Sequence, residues 1–352
     1  MKKLKILSAA MWLYPLLGGA ERCNMVLLQH LSSKFECFIL TNGDKADSIE
    51  AEKIKVFFVS KTEQMRKVII RINPDIVITQ GFLAPFITEV AVTMRKPVIL
   101  FVRDYSNFCY LPTPIFNCNH QCYRCKGYRR VAKFFSRIDH QEMFRKVSKI
   151  IYVSEFMRKI GVEEYGVDGE VVYPFIREKD FFCGKAKREL NYIGMMGHAS
   201  HKGIHIFVRG AKKISEENFL VVGNFSEKIS FKGIPNLFYK GILPAVEFYK
   251  QIKILLVPSI WPEPAGRVIL EAMGNGIPVI ASAVGGIPEM MCGAGIQIRD
   301  FRNPDSWVKE IKHLLNNREF YDRISKRELA RYKKYSLKKE LCKVEKIIKY
   351  LL

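Results

Sequence analysis

Short apolar runs alternate with longer stretches whose apolar residues recur at helical spacing, and the alternation continues to about residue 316. Runs of Val, Ile, Leu and Phe without polar alternation suit strands covered on both faces, as in a parallel sheet between helices. In the first half they predict strands near Lys5–Ala9, Cys37–Leu40, Lys55–Val59, Asp75–Thr79, Val98–Val102 and Ile150–Val153. Helices are predicted between them at Ala20–Ser32, Thr62–Ile72, Pro85–Met94, Tyr128–Val147 and Glu155–Val162. Around "VVYPFIREKDFF" the pattern lapses into a short connector and then restarts. Strands follow near Asn191–Met195, Phe219–Val222, Leu237–Tyr239, Ile254–Pro258, Pro278–Ala281 and Gly295–Ile298. Helices follow near Lys202–Ile214, Val246–Gln251, Arg267–Met273 and Asp305–Asn316, ahead of a basic tail. Strand and helix in strict turn imply βαβ units, so the expected fold is α/β with two Rossmann-like doubly wound domains. The expected divisions are 1–174, 175–335 and a basic C-terminal helix, 336–352, packing back on the N-terminal domain. Two such sheets in series place a ligand cleft between them, faced by strand ends and helix N-termini.

A segment in the second half carries candidate chemistry. In "EPAGRVILEAMGNGIPVIAS", residues 263–282, two glutamates stand eight positions apart in oily surroundings. Pro264 is expected to open a helix and Gly274 and Gly276 to close it, which sets Glu263 at the helix mouth. Eight residues of helix span about 12 Å and leave both carboxylates on broadly the same side. Val268, Ile269, Leu270, Ala272 and Met273 surround Glu271, and a carboxylate among them needs a partner. Vicinal hydroxyls of a sugar are one such partner, as in dinucleotide folds. The other reading sends Glu271 to solvent and leaves Glu263 to complement the helix dipole.

Composition narrows the setting. The 352 residues are 48% hydrophobic and 26% charged, an ordinary globular balance. The 57 Lys and Arg against 35 Asp and Glu give +22, a field that draws anions: nucleic acid, phosphorylated ligands or an anionic lipid surface. No apolar run reaches the ~18–20 residues of a spanning helix. Met1 to Leu17 imitates a signal peptide but also fits a buried first strand leading into a Gly-rich turn. Nine cysteines, five of them scattered singly, suit a reducing compartment, so the expected location is cytoplasmic.

Together with the two-domain layout, "PSIWPEPAGRVILEAMGNGIPVIASAVGGIPE" resembles the E-x7-E motif and Gly-Gly-x-Pro-Glu loop of the retaining glycosyltransferases of family 4, which have the GT-B architecture. The resemblance covers nearly the whole chain. It implies that Glu263 contacts the donor sugar near the reacting carbon and that Glu271 holds the ribose. It also implies that the amides of Ala265, Gly266 and Arg267 line sugar and phosphate, which suits a helix N-terminus. "GMMGHASHKG" is similar to the family's strand-then-Lys-Gly signature, which makes Lys202 the cation that neutralises the leaving diphosphate. A lysine that merely opens an exposed helix is the alternative. The arginine usual before that lysine is missing, with Met195, Met196 and Gly197 in its vicinity, so His198, His201 or Arg267 substitutes or diphosphate binding is weaker. "LYPLLGGAER" matches the N-terminal Gly-Gly loop, so Gly18 and Gly19 let backbone approach the donor phosphate and acceptor. "VVGNF" falls where the family's base-binding loop begins. In "VRDY", Arg103 stands where the family often has histidine, and Asp104 either orients the acceptor hydroxyl or caps a loop.

The resemblance therefore implies hexosyl transfer from a nucleoside diphosphate sugar to a hydroxyl of a glycan or lipid-linked acceptor, with retained configuration and no required catalytic metal. "CYLPTPIFNCNHQCYRC" puts Cys109, Cys118, Cys122 and Cys125 within seventeen positions. Four thiolates can close a structural zinc site, and some family members carry a similar Cys-rich insertion after the same strand; disulfides or free thiols stay open. Cys118-x3-Cys122-x2-Cys125 is also an iron–sulfur spacing of radical enzymes, but it follows about five strands of an open sheet rather than an early barrel strand. Residues 124–149 carry nine Lys or Arg interleaved with aromatics, and Arg323–Lys349 carry eleven against three Glu. Such faces fit either the inner surface of an anionic membrane or a solvated, packed helix. A nucleic-acid-binding module is the non-enzyme competitor, yet no reading helix, aromatic platform or zinc-finger spacing accompanies the charge, so no specific nucleic acid is expected.

Overall fold

The computed structural model describes residues 3–11, 13, 18–43, 48–108, 140–182, 190–197, 200–224, 231 and 233–352. The chain divides into two compact units, one of Met1–Phe175 with Leu337–Leu352 and the other of Ile176–Ser336.

In the first unit, β1 (Lys5–Ala9), β2 (Glu36–Asn42), β3 (Ile49–Ala51), β4 (Ile54–Val59), β5 (Ile76–Gln80), β6 (Val98–Val102), β7 (Lys149–Tyr152) and β8 (Glu170–Val171) form one sheet. Its order is β3-β4-β2-β1-β5-β6-β7-β8, and only β3 runs antiparallel to its neighbour. The helices are α1 (Gly19–Leu31), α2 (Thr62–Ile72), α3 (Ala84–Thr93), α4 (His140–Lys146) and α5 (Glu155–Tyr165). Every residue of β6 is buried, which is why its five positions read as an unbroken apolar run. The predicted Tyr128–Val147 helix appears within the described residues as α4 alone. β3 and β8 escaped the pattern because three and two residues are too few to show a period.

The second unit holds β9 (Tyr192–Met196), β10 (Asn218–Val222), β11 (Leu237–Tyr239), β12 (Ile252–Val257), β13 (Val279–Ser282) and β14 (Ile296–Ile298), all parallel, in the order β11-β10-β9-β12-β13-β14. Its helices are α6 (Ile204–Lys213), α7 (Ala245–Gln251), α8 (Arg267–Gly274), α9 (Ile287–Met291), α10 (Pro304–Asn316) and α11 (Arg318–Tyr332). The basic tail is thus two helices: α11, and α12 (Leu337–Leu351), which belongs to the first unit. From α12, Leu341, Val344, Ile347 and Ile348 enter the same apolar cluster as Leu27 and Leu28 of α1 and Ile6 and Ile39 of β1 and β2.

Strand order decides where a ligand can sit. In a doubly wound sheet the crevice opens beyond the carboxyl ends of the strands where the order reverses. In the second sheet that point lies between the neighbours β9 and β12, so the loops leaving these two strands emerge side by side. In the first sheet it lies between β1 and β5.

Candidate active site

The loop after β9 ends in a 3-10 turn, Ser200–Lys202, and the loop after β12 carries Ser259, Trp261 and Glu263. Gly203 has φ +81°, and a Cβ there would lie 1.7 Å from the carbonyl oxygen of Pro258, so only glycine lets the two loops touch. Ile260 N donates to His201 O at 3.0 Å across that contact. Lys202 is thereby aimed at Glu263 and donates Nζ to Oε1 at 2.7 Å and to Oε2 at 2.8 Å. Ser259 Oγ donates to Oε1 at 2.5 Å and Trp261 Nε1 at 3.1 Å. The Trp261 ring packs 4.4 Å from the His201 ring and lies 5.4 Å from Lys202 Nζ.

Glu263 is 5% exposed. Burial pushes its pKa up, but the Lys202 ammonium and the donors on Lys202, Ser259 and Trp261 more than offset this and hold it below the usual carboxylate range. Its backbone is held from below by the Gly-Gly loop. A Cβ on Gly285 would stand 2.5 Å from Glu263 N and O, one on Gly286 would stand 2.4 Å from Pro264 O, and Gly286 N donates to Glu263 O at 2.7 Å.

The helix expected to join the two glutamates is shorter than its motif. Helix α8 begins at Arg267 with Gly266 as its left-handed N-cap, so Glu263, Pro264 and Ala265 lie in the preceding loop. Counting eight residues of helix from Glu263 to Glu271 is therefore wrong for this chain, because the contact with Gly286 takes the carbonyl of Glu263 away from helical pairing. Glu271 is 4% exposed, which removes the solvent-facing alternative. Arg267 Nε donates to its Oε1 at 2.6 Å, one helical turn away, and Tyr249 Oη donates to its Oε2 at 3.0 Å. The exposed-helix reading of Lys202 also falls, since the residue precedes α6 in the 3-10 turn and its side chain is 22% exposed against Glu263.

Of the residues considered as stand-ins for the missing arginine, Arg267 is engaged with Glu271, His201 packs on Trp261, and His198 lies outside the described residues. Ala265 is 5% exposed beside Glu263. Ser259 and Trp261 stand inside the quoted motif but were not singled out from sequence; Tyr249, on α7, carries no sequence signal at all.

The first unit gathers its own polar groups at the carboxyl ends of β1, β5 and β6. Gly18 is the N-cap of α1, Gly19 its first residue and Glu21 its third position, an arrangement in which a carboxylate can reach back to the cap. Burial raises the Glu21 pKa, opposed by backbone donors at Glu21 and Gly18 and by Arg103. Arg103 Nη1 donates to Ala20 O at 3.0 Å and to Gln80 Oε1 at 2.9 Å, and the guanidinium lies 4.3 Å from the Phe101 ring. Asp104 is exposed and caps a 3-10 turn, Tyr105–Asn107, accepting from Ser106 N at 2.8 Å and from Ser106 Oγ. Cys109, Cys118, Cys122 and Cys125 lie outside the described residues. Among the described residues no cluster of metal-ligating side chains occurs.

Comparison with known proteins covers both units. Residues 176–331 match the family model "Glycosyl transferases group 1", and residues 17–179 match "Glycosyltransferase Family 4". A 42.6 kDa protein of the cps region of Klebsiella pneumoniae is 24% identical over 271 residues, 71% of this chain and 68% of that one. The O-antigen chain mannosyltransferase RfbU of Salmonella typhimurium is 27% identical over 203 residues, 52% of this chain and 56% of that one. Among solved structures, Anabaena HepE in complex with UDP and glucose superposes with a TM-score of 0.77 at 16% identity, covering 99% of this chain and 100% of that one.

Proposed function

Because the chain belongs to glycosyltransferase family 4, a family of GT-B fold, we propose that it moves a hexosyl unit from a nucleoside diphosphate sugar to a hydroxyl of a glycan or lipid-linked acceptor, retaining the anomeric configuration. The observation that carries the reading is the Lys202–Glu263 pair at the switch point of the second sheet, one residue per loop, on adjacent strands. Charge develops on a diphosphate as the glycosidic bond breaks, and a preorganised ammonium lowers the cost of that charge where water is scarce. Lys202 takes this role, aided by the amides of Ala265, Gly266 and Arg267 at the start of α8. Glu263 fixes the sugar through its hydroxyls, so that the acceptor approaches on the face the diphosphate leaves. Glu271 accepts from the ribose: each oxygen already takes one donor, and a carboxylate has room for about four. Gly18 and Gly19 give the donor phosphate and acceptor access to backbone, and Asp104 orients the acceptor hydroxyl. The reaction needs no catalytic metal in this scheme.

The complex of HepE with UDP and glucose supports a nucleoside diphosphate donor. The charge of +22 supports an anionic membrane face as the working surface, although no helix among the described residues is long and apolar enough to cross a membrane. Co-sedimentation with vesicles of anionic lipid, lost as salt is raised, checks that part.

A thermal-shift panel of nucleoside diphosphate sugars, run on the parent and on Glu271→Ala, tests the whole. The parent gains stability with one donor and the variant with none. A parent indifferent to every donor, or one that binds a duplex or single-stranded probe tightly and specifically, defeats the proposal.

A further inference from the structure

We infer that Glu263 is the residue by which this site tells a sugar-bearing diphosphate from a bare one, and that it does so by competing with the diphosphate for Lys202. The inference rests on the donor reading of these two residues given above and adds what the free and product-bound enzyme must do.

The two oxygens of Glu263 are unequally provided for. Oε1 takes three donors, from Lys202, Ser259 and Trp261. Oε2 takes only Lys202, at 2.8 Å, among the described residues. Ser259 is fully buried and the Trp261 ring is packed against His201, so both are built into the loop and act as positioning residues for Oε1. Lys202 is the partner that can be drawn away, because its side chain is 22% exposed and ends in a flexible stem.

An arriving diphosphate meets an ammonium already engaged. If Lys202 swings to the phosphate, Oε2 is left as a buried charge without a donor, which is strongly unfavourable. If the ammonium stays and offers its third proton, carboxylate and diphosphate share one cation and repel each other. In either geometry Glu263 opposes a bare diphosphate. A sugar on that diphosphate changes the balance, since its hydroxyls donate to Oε2 and fill the place Lys202 gives up. Once the sugar has been transferred those donors are gone, Glu263 reclaims Lys202, and the nucleoside diphosphate is expelled. The pair thus couples product release to completed transfer.

Calorimetric titration of the full chain with UDP and UDP-glucose, ADP and ADP-glucose, and GDP and GDP-mannose tests this on the parent, Glu263→Gln, Lys202→Met and the double variant. For the pair that the parent binds, the conjugate binds tighter than the bare diphosphate. In Glu263→Gln the bare diphosphate binds about tenfold tighter, the conjugate does not tighten, and the preference collapses. In the Lys202→Met background the same Glu263→Gln change gives clearly less than that tenfold gain, the coupling a double-mutant cycle shows for a competition that runs through Lys202. Ser259→Ala, which alters no charge, supplies the opposite sign: with one donor fewer, Glu263 depends more on Lys202 and bare diphosphate binds two- to threefold weaker. Ser259→Ala also stands alone should Glu263→Gln fail to fold. A Glu263→Gln protein that binds bare diphosphate as the parent does, or tightens both ligands equally, overturns the inference, as does Ser259→Ala binding it as tightly as the parent or tighter. If the parent binds none of the six, the donor reading itself fails and takes the inference with it.

Discussion

Glu328, on α11, is a carboxyl group with only protein around it. It is fully buried, its Oε1 accepts from Val279 N at 2.9 Å, and its Oε2 is enclosed with no hydrogen-bond partner among the described residues. Burial pushes its pKa well above the ordinary value of 4.5, against the pull of the Val279 amide and Arg327. The folded chain therefore keeps a proton that the unfolded chain releases, and stability falls as pH rises above 4.5 toward the folded value. Glu328→Gln keeps the acceptor and drops the titration. Its Tm relative to the parent is expected to climb steadily between pH 5 and pH 8; melting curves that stay parallel across that range rule the account out. Glu345 works in the opposite sense. Hydrogen bonds from Lys34 and Lys349, opposed by burial and joined by one from His30, lower its pKa to about 2. Its contribution is present above the unfolded value of 4.5 and is lost as pH falls toward about 2. The parent should therefore outlast Glu345→Gln at pH 7 and lose that advantage near pH 2, as followed by circular dichroism.

At the scale of elements, α12 guards the exposed edge of the first sheet. An edge strand offers unpaired amides and carbonyls to any passing strand. Here Lys343 Nζ donates to Val171 O at 3.1 Å and Glu340 Oε2 accepts from Tyr173 N at 3.0 Å, so side chains of the helix stand in for a ninth strand beside β8. Glu340 is 6% exposed, and Glu340→Ala should cost about 1–3 kcal/mol and speed hydrogen exchange at the Tyr173 amide. Unchanged exchange there would show that the helix does not cap the edge.

The same scale shows what could be read in advance. Lys5–Ala9, Val98–Val102 and Thr62–Ile72 match the predicted spans because each is a local apolar pattern long enough to have a period. Helix α9, with five residues, is too short for one. The motif disclosed Lys202, Glu263 and Glu271, but not their geometry. The left-handed N-cap at Gly266 and the contact with Gly286 separate Glu263 from the helix that the spacing suggested. Tyr249 and Gln80 were invisible because their partners, Glu271 and Arg103, lie 22 and 23 residues away in sequence and meet them only in the folded chain.

For the whole molecule, chain continuity separates the two units in kind. Residues 176–336 form one uninterrupted unit that contains Lys202, Ser259, Trp261, Glu263, Arg267, Glu271 and Tyr249. The other unit takes in the returning α12, which supplies Leu341, Val344, Ile347 and Ile348 to its core and Glu345 to His30 of α1 and to Lys34, which follows it. Deleting residues 337–352 removes four buried aliphatic side chains at once. Each is worth about 2–5 kcal/mol as a large-to-small loss, a sum comparable with the ~5–15 kcal/mol that holds a domain folded. The truncated chain should therefore lose the calorimetric transition of its first unit while the second still unfolds cooperatively. If the donor residues are a self-contained set, a nucleoside diphosphate sugar that stabilises the parent still raises that remaining transition. Loss of the donor response together with the first transition would mean that donor binding draws on Gly18, Gly19 or other groups of the first unit more heavily than on the Lys202–Glu263 pair.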